Sequence, residues 1–129
     1  MSDKVKFEME IEVKSSTSVL YGMISTPSGL SEWFADDVNI KGDIFTFFWD
    51  GASEDAKLIT KKKGQSVKYQ WVEDIEDGLK TYFEIFIRVD ELTNDVALII
   101  TDFAEEDEIE EAQLLWQNQI DKLKKTIGS

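Results

Sequence analysis

"DVALIITDFAEEDEIEEAQLLWQNQIDKLKKTIG", residues 95–128, decides the fold because the spacing of its apolar residues changes partway along. Leu98 and Ile100 stand two apart in a short β-branched run, the period of a strand. Ile109, Ala112, Trp116, Ile120, Leu123 and Ile127 then recur three or four apart. That spacing places them on one stripe of a helix about five turns long, which must bury the stripe against something. The acidic residues of 105–111 stand at the helix start, Lys122, Lys124 and Lys125 toward its end, and Gly128 follows it. This order complements the helix dipole and closes the C-terminus. The same acidic run lacks the spaced ligands and turn glycine of a calcium loop, so no metal site is expected.

Upstream of this segment the period of two dominates. In "KFEMEIEVK" (6–14), Phe7, Met9, Ile11 and Val13 alternate with glutamates, which predicts a strand with one buried and one wet face. Ser15 to Ser18 offer N-caps for a short helix through Val19, Leu20, Met23 and Ile24, and Pro27 can open a second one carrying Leu30, Trp33 and Phe34. From Val38 to Thr101 the chain reads as six further strands: "DVNI", "DIFTFFWD", "EDAKLITKK", "SVKYQWVE", "KTYFEIFIRV" and "DVALIIT". Lys41-Gly42, Asp50-Gly51, Lys63-Gly64, Asp77-Gly78 and Thr93-Asn94-Asp95 supply the hairpin turns between them. The fold class is therefore α+β: an antiparallel sheet of about seven strands, two short helices after the first strand, and a long C-terminal helix packed on the sheet.

Composition narrows the functions. The 129 residues suit one domain, 1–129, with no linker, repeat or low-complexity stretch to divide them. Eight phenylalanines, four tryptophans and three tyrosines promise a packed core. A formal charge of −13 repels phosphate backbones and anionic membrane surfaces, and "TKKKG" (60–64) is too short to reverse it. With no cysteine, a reducing compartment, the cytoplasm, is expected. The N-terminus lacks the apolar core of a signal peptide, and no stretch suits a membrane span.

The order strand, two short helices, six strands, long helix resembles the START-like, or helix-grip, superfamily over essentially the whole chain. Local wording agrees. "TPSGLSEWFADDV" (26–38) resembles the segment after the short helices in the branch of chaperone-ATPase activators and polyketide cyclases. "FTFFWDG" with "VKYQW" resembles its aromatic strands, and "DVALIITDFAEEDE" leading to "LLWQNQIDKLKKTIG" its last strand and closing helix. The resemblance implies a curved sheet wrapped around the C-terminal helix. It specifies function poorly, because lipid carriers, cyclases and chaperone regulators share these cavity-building patterns.

Strand phasing nominates the cavity residues. Facing inward with Phe7, Met9, Ile11 and Val13 should be Phe45, Phe47 and Trp49; Ala56 and Leu58; Val67, Tyr69 and Trp71; Phe83, Ile85 and Ile87; Leu98 and Ile100. Thr46, Lys57, Lys68, Gln70, Glu84 and Arg88 then face solvent. Candidate ligand-binding residues are Trp33 and Phe34 at the sheet's open end, Phe47 and Trp49, Tyr69 and Trp71, Phe83 and Ile85, and Leu98, with Trp116 and Ile120 from the long helix. The Tyr69 hydroxyl and the indole N–H groups would orient a ligand, and Asp36 and Asp37 would stay wet at the rim. Aromatics at these spacings equally fill cores, so a chain of this size can leave no usable cavity.

Catalysis finds little support. Without histidine or cysteine the commonest general base and the easiest nucleophile are missing, and zinc loses its preferred ligands. Asp36, Asp37, Asp50 and Asp102 sit at expected element ends, where aspartate serves caps and turns. No glycine cluster cradles phosphate, and no cofactor is indicated. Three readings remain: cofactor-free, non-enzymatic binding of an apolar or aromatic small molecule; a co-chaperone-like interaction module with a filled core, to which Leu114 on the helix's outer side bears; and a cyclase- or hydratase-like enzyme. An accessible cavity, an exposed apolar patch and an inward carboxylate respectively distinguish them.

Overall fold

A computed structural model describes residues 4–128. Seven strands form one curved antiparallel sheet: β1 (Lys4–Glu12), β2 (Asp37–Lys41), β3 (Ile44–Trp49), β4 (Ala52–Lys62), β5 (Ser66–Trp71), β6 (Phe83–Val89) and β7 (Val96–Glu105). Their spatial order is β1-β7-β6-β5-β4-β3-β2, so β2 to β7 run as a meander and β1 closes onto the last strand. Helices α1 (Thr17–Ser25) and α2 (Pro27–Leu30) carry the chain from the β1 edge to the β2 edge, with α1 against β5 and β6. Between β5 and β6 lies the short α3 (Val72–Glu76), and α4 (Ile109–Ile127) follows one 3₁₀ turn. This is the expected helix-grip arrangement.

The inward parity holds on every strand. Phe45, Phe47, Val67, Tyr69, Phe83, Ile85, Leu98 and Ile100 are buried, as are Trp116, Ile120 and Leu123 on the facing stripe of α4. Each such side chain contributes about 1.5–3 kcal/mol through removal from water. The convex face is polar and knitted across strands: Thr46 Oγ1 donates to Asp55 at 2.7 Å, Arg88 pairs with Glu10, and the Lys68 ammonium lies 4.4 Å from the Tyr82 ring centre. Glu84 lies on this face between Lys68 and Thr101, as expected. Helix α4 ends as its sequence demands, with Lys124 and Lys125 in the last turn and Gly128 at φ 73°, a left-handed conformation that glycine adopts without a Cβ clash.

Three local expectations are corrected. Strand β5 stops at Trp71, because Val72–Glu76 winds into α3 and Asp77-Gly78 ends that helix instead of joining two strands. The turn brings Asp74 inside, where it accepts from Thr81 Oγ1 at 2.5 Å and pairs with Lys4 at 3.2 Å. Helix α2 ends at Leu30, so Trp33 and Phe34 belong to the turn that follows. That turn folds back on Leu30, whose carbonyl accepts from the Phe34 amide at 2.9 Å. Strand β7 runs on to Glu105, past the expected end at Thr101.

Helix α1 ends without a glycine cap, and side chains satisfy its last carbonyls instead. Thr26 Oγ1 donates to Gly22 O at 2.7 Å, Trp33 Nε1 to Met23 O at 2.9 Å and the Tyr69 hydroxyl to Ile24 O at 3.0 Å. The corner also needs Gly29, where a Cβ would stand 2.2 Å from Gly22 O and 2.7 Å from Met23 Cα. We expect Gly29→Ala to cost at least about 2 kcal/mol through overpacking against backbone. Gly22→Ala, in helix with nothing within 4 Å of the new Cβ, should gain about 0.5–1 kcal/mol. Urea unfolding of the two variants checks the pair, and equal stabilities would refute the close-packed corner.

Candidate functional site

Where α4 leaves the sheet's open end, a groove of about 640 Å³ remains. The turn from Trp33 to Asp36 lines it, together with Trp49 on β3, Glu54 on β4 and Trp71 on β5. Helix α4 contributes Leu115, Trp116, Asn118, Gln119 and Lys122, and β7 contributes Asp102. Strand parity explains the sheet residues: Glu54 is opposite Phe47, and Ala56 on the same face is opposite Trp71, so all four share the concave side.

Phe34 separates the groove from the core. Its ring stacks on Phe83 at 5.6 Å, meets Phe47 edge-on at 5.0 Å, and lies 5.7 Å from Trp49 and 5.6 Å from Trp116. Its carbonyl accepts from Trp49 Nε1 at 2.8 Å and from Gln119 Nε2 at 2.9 Å, so the same residue joins β3 and α4. Of the expected site residues, Trp33, Phe34, Trp49, Trp71 and Trp116 line the groove. Phe47, Tyr69, Phe83, Ile85, Leu98 and Ile120 lie in the closed core, each no more than 1% exposed.

The expected polar handles are mostly engaged within the protein. The Tyr69 hydroxyl and Trp33 indole cap α1, Trp49 holds Phe34, and Trp116 Nε1 donates to Asp102 Oδ2 at 2.8 Å. Burial pushes the Tyr69 hydroxyl's pKa upward, in keeping with a neutral structural donor. Among the described residues the Trp71 indole N–H has no partner, and this ring is only partly buried.

Asp102 corrects the expectation of a cap or turn residue. It stands within β7 in the parity of Leu98 and Ile100 and faces the groove opposite Phe7. Its Oδ1 accepts from the Phe103 amide at 2.7 Å and its Oδ2 from Trp116, leaving each oxygen a free lone pair. Burial holds its carboxyl above the usual range, against the pull of these hydrogen bonds and of Lys4. The signal in the sequence was parity alone, hidden because the acidic run after it reads as the end of the strand. Asp36, by contrast, is exposed at the rim and accepts from the Asp50 amide at 2.9 Å, the turn role expected of it.

A carboxyl whose folded pKa exceeds its unfolded value binds protons more tightly when folded. Its contribution to stability therefore improves as pH falls through the folded pKa toward the unfolded one. Asp102→Asn removes this titration, together with one of two accepted hydrogen bonds, which is a constant offset. The difference in unfolding free energy, wild type minus variant, should shift toward the wild type as pH drops from 7 into the ordinary carboxylate range. Denaturation at a series of pH values measures it, and a shift toward the variant would mean the carboxylate is stabilised by folding.

The START-like superfamily domain model matches residues 1–129. A Bacteroides fragilis protein with a solution NMR structure is 35% identical, with a TM-score of 0.68 across 98% of this chain and 92% of that one. The Aha1 dimer from Colwellia psychrerythraea is 21% identical, with a TM-score of 0.80 over 95% of this chain and 96% of its own. DynU16, a protein of the dynemicin biosynthetic locus, is 10% identical, with a TM-score of 0.77 over 96% of this chain and 47% of its own. These last two likenesses show the fold alone. No curated protein matches. On the family match and the 35% identical relative together, the chain belongs to the START-like superfamily.

Proposed function

We propose that this domain binds a small molecule with substantial apolar or aromatic surface, without transforming it, in the groove between the Trp33–Asp36 turn, the sheet and α4. The observation that carries the reading is a groove of about 640 Å³ lined by Trp33, Phe34, Trp49, Trp71 and Trp116, above a core whose side chains are buried. Pockets that hold small ligands have this size and set polar groups, here Asp102, Glu54 and Gln119 among them, against apolar walls. Among the described residues Asp102 accepts hydrogen bonds from the Phe103 amide and Trp116, and none joins it to the groove's other carboxylates, Asp36 and Glu54, which favours binding over paired acid–base chemistry. Among the described residues no helix is long and apolar enough to cross a membrane. The cysteine-free sequence supports a cytoplasmic site of action.

A second reading, an interaction module, is favoured by Leu114, which lies on α4 outside the groove lining and is 62% exposed. It also draws on the Aha1-like fold. The two readings part on where substitutions act.

An uncharged environment-sensitive dye such as N-phenyl-1-naphthylamine should bind the folded protein one to one and quench tryptophan fluorescence. Trp71→Phe should weaken that binding several-fold by removing groove surface and the unpartnered N–H. Tyr69→Phe should leave affinity unchanged and cost about 1–3 kcal/mol of stability, because the Ile24 carbonyl loses its donor. Folded protein that takes up no dye would remove the groove reading and leave the interaction module.

A further inference from the structure

The charged groups of the groove have one dominant sign. Asp36, Glu54 and Asp102 line it, against the single lysine Lys122, whose side chain comes from the exposed side of α4. Trp71 and Glu54 also border a neighbouring polar depression that adds Asp55, Glu73, Asp74 and Glu76, with Lys4 its only cation. Lys4 is already paired with Asp74. An apolar or anionic ligand would meet these carboxylates with few donors to offset them, since the indole N–H groups of Trp33, Trp49 and Trp116 are all engaged and the Trp71 N–H, the Asn118 amide and Lys122 are what remain.

The rings favour a cation as well. Trp49 and Trp71 have centres 6.2 Å apart and planes inclined at 56°, so two indoles meet at an angle beside Glu54. Phe34 and Trp116 lie 5.6 Å apart, with Asp102 hydrogen-bonded to the latter. Aromatic faces attract cations through their quadrupoles, most strongly when the cation is desolvated, and tryptophan is the best of them. A carboxylate next to such rings supplies the counter-charge.

We infer that the occupant of the groove is an organic cation, an alkyl or aryl ammonium whose apolar part lies on the tryptophans while its charge sits near Asp102 and Glu54. This assignment rests on the groove being a ligand site. Raised pKa values cluster where a buried carboxyl is retained for a task, and the upward shift of Asp102 agrees. A bound ammonium would restore the charge balance that burial upsets.

The test displaces the uncharged dye with 4-(hydroxymethyl)benzyltrimethylammonium and with its carbon isostere, in which tert-butyl replaces trimethylammonium. The cation should displace dye at a concentration at least tenfold lower than the isostere. Asp102→Asn and Glu54→Gln should each reduce that ratio several-fold; Glu54 is exposed and its replacement leaves the core untouched. If the isostere competes as well as the cation, the charge assignment is overturned and the pocket stands. A cation preference unchanged in both variants overturns it too, since the preference then comes from the overall charge of −13. Should the folded protein bind neither dye nor isostere nor cation, the pocket itself is refuted.

Discussion

Phe34 is the residue through which the sheet and the long helix meet. Its ring touches those of Phe47, Phe83, Trp49 and Trp116, and its carbonyl holds Trp49 from one side and Gln119 from the other. Ring packing without the carbonyl would leave the Trp49 indole free to rotate into the groove. The carbonyl without the ring would leave a void between α4 and β6. Because both functions belong to one residue on a turn, the position of that turn fixes both where the core ends and where the groove begins.

The turn is in turn held by the end of α1. A helix must satisfy its last carbonyls, and here the donors are Thr26, Trp33 and Tyr69, drawn from the helix end, the turn and β5. This has a functional consequence. Every tryptophan N–H except that of Trp71 is engaged within the protein, so the charge left over in the groove is mainly carboxylate, set against Lys122. The capping of α1 thus bears on the groove through Trp33, a lining residue whose indole N–H is taken up by the Met23 carbonyl.

Much of this was legible in the sequence because its signals were periodic. The alternation from Phe7 to Val13, the aromatic parity of β3, β5 and β6, and the stripe from Ile109 to Ile127 each report a buried face directly. What escaped were the places where a tertiary partner decides. Val72–Glu76 coils because Asp74 finds Thr81 and Lys4, one of them close in sequence and the other on β1. The Tyr69 hydroxyl could be recognised as a polar atom on an inward face, but its acceptor belongs to α1, and no local pattern pairs the two. Asp102 is the instructive case. Its parity with Leu98 and Ile100 points inward, but four acidic residues soon after it suggest solvent, and only the pairing of β7 with β1 out to Lys4 shows that the strand continues.

An acidic protein gains no general attraction for cations by placing one more carboxylate inside a groove. At physiological ionic strength the field of surface charges fades over about 8 Å, whereas charges partly removed from water are screened far less. Asp102 is of the second kind, since burial outweighs the hydrogen bonds that favour its charged form. A carboxylate in that position is poorly placed to serve solubility, and folding does not favour its ionisation. It is well placed to distinguish a cation lying against Trp116 from a neutral molecule of the same shape, because there the Coulomb interaction acts at short range beside low-dielectric rings. The groove's aromatic walls would supply affinity for many ligands alike. Selectivity among them would then fall to Asp102 and Glu54, the groove carboxylates that strand parity turns inward.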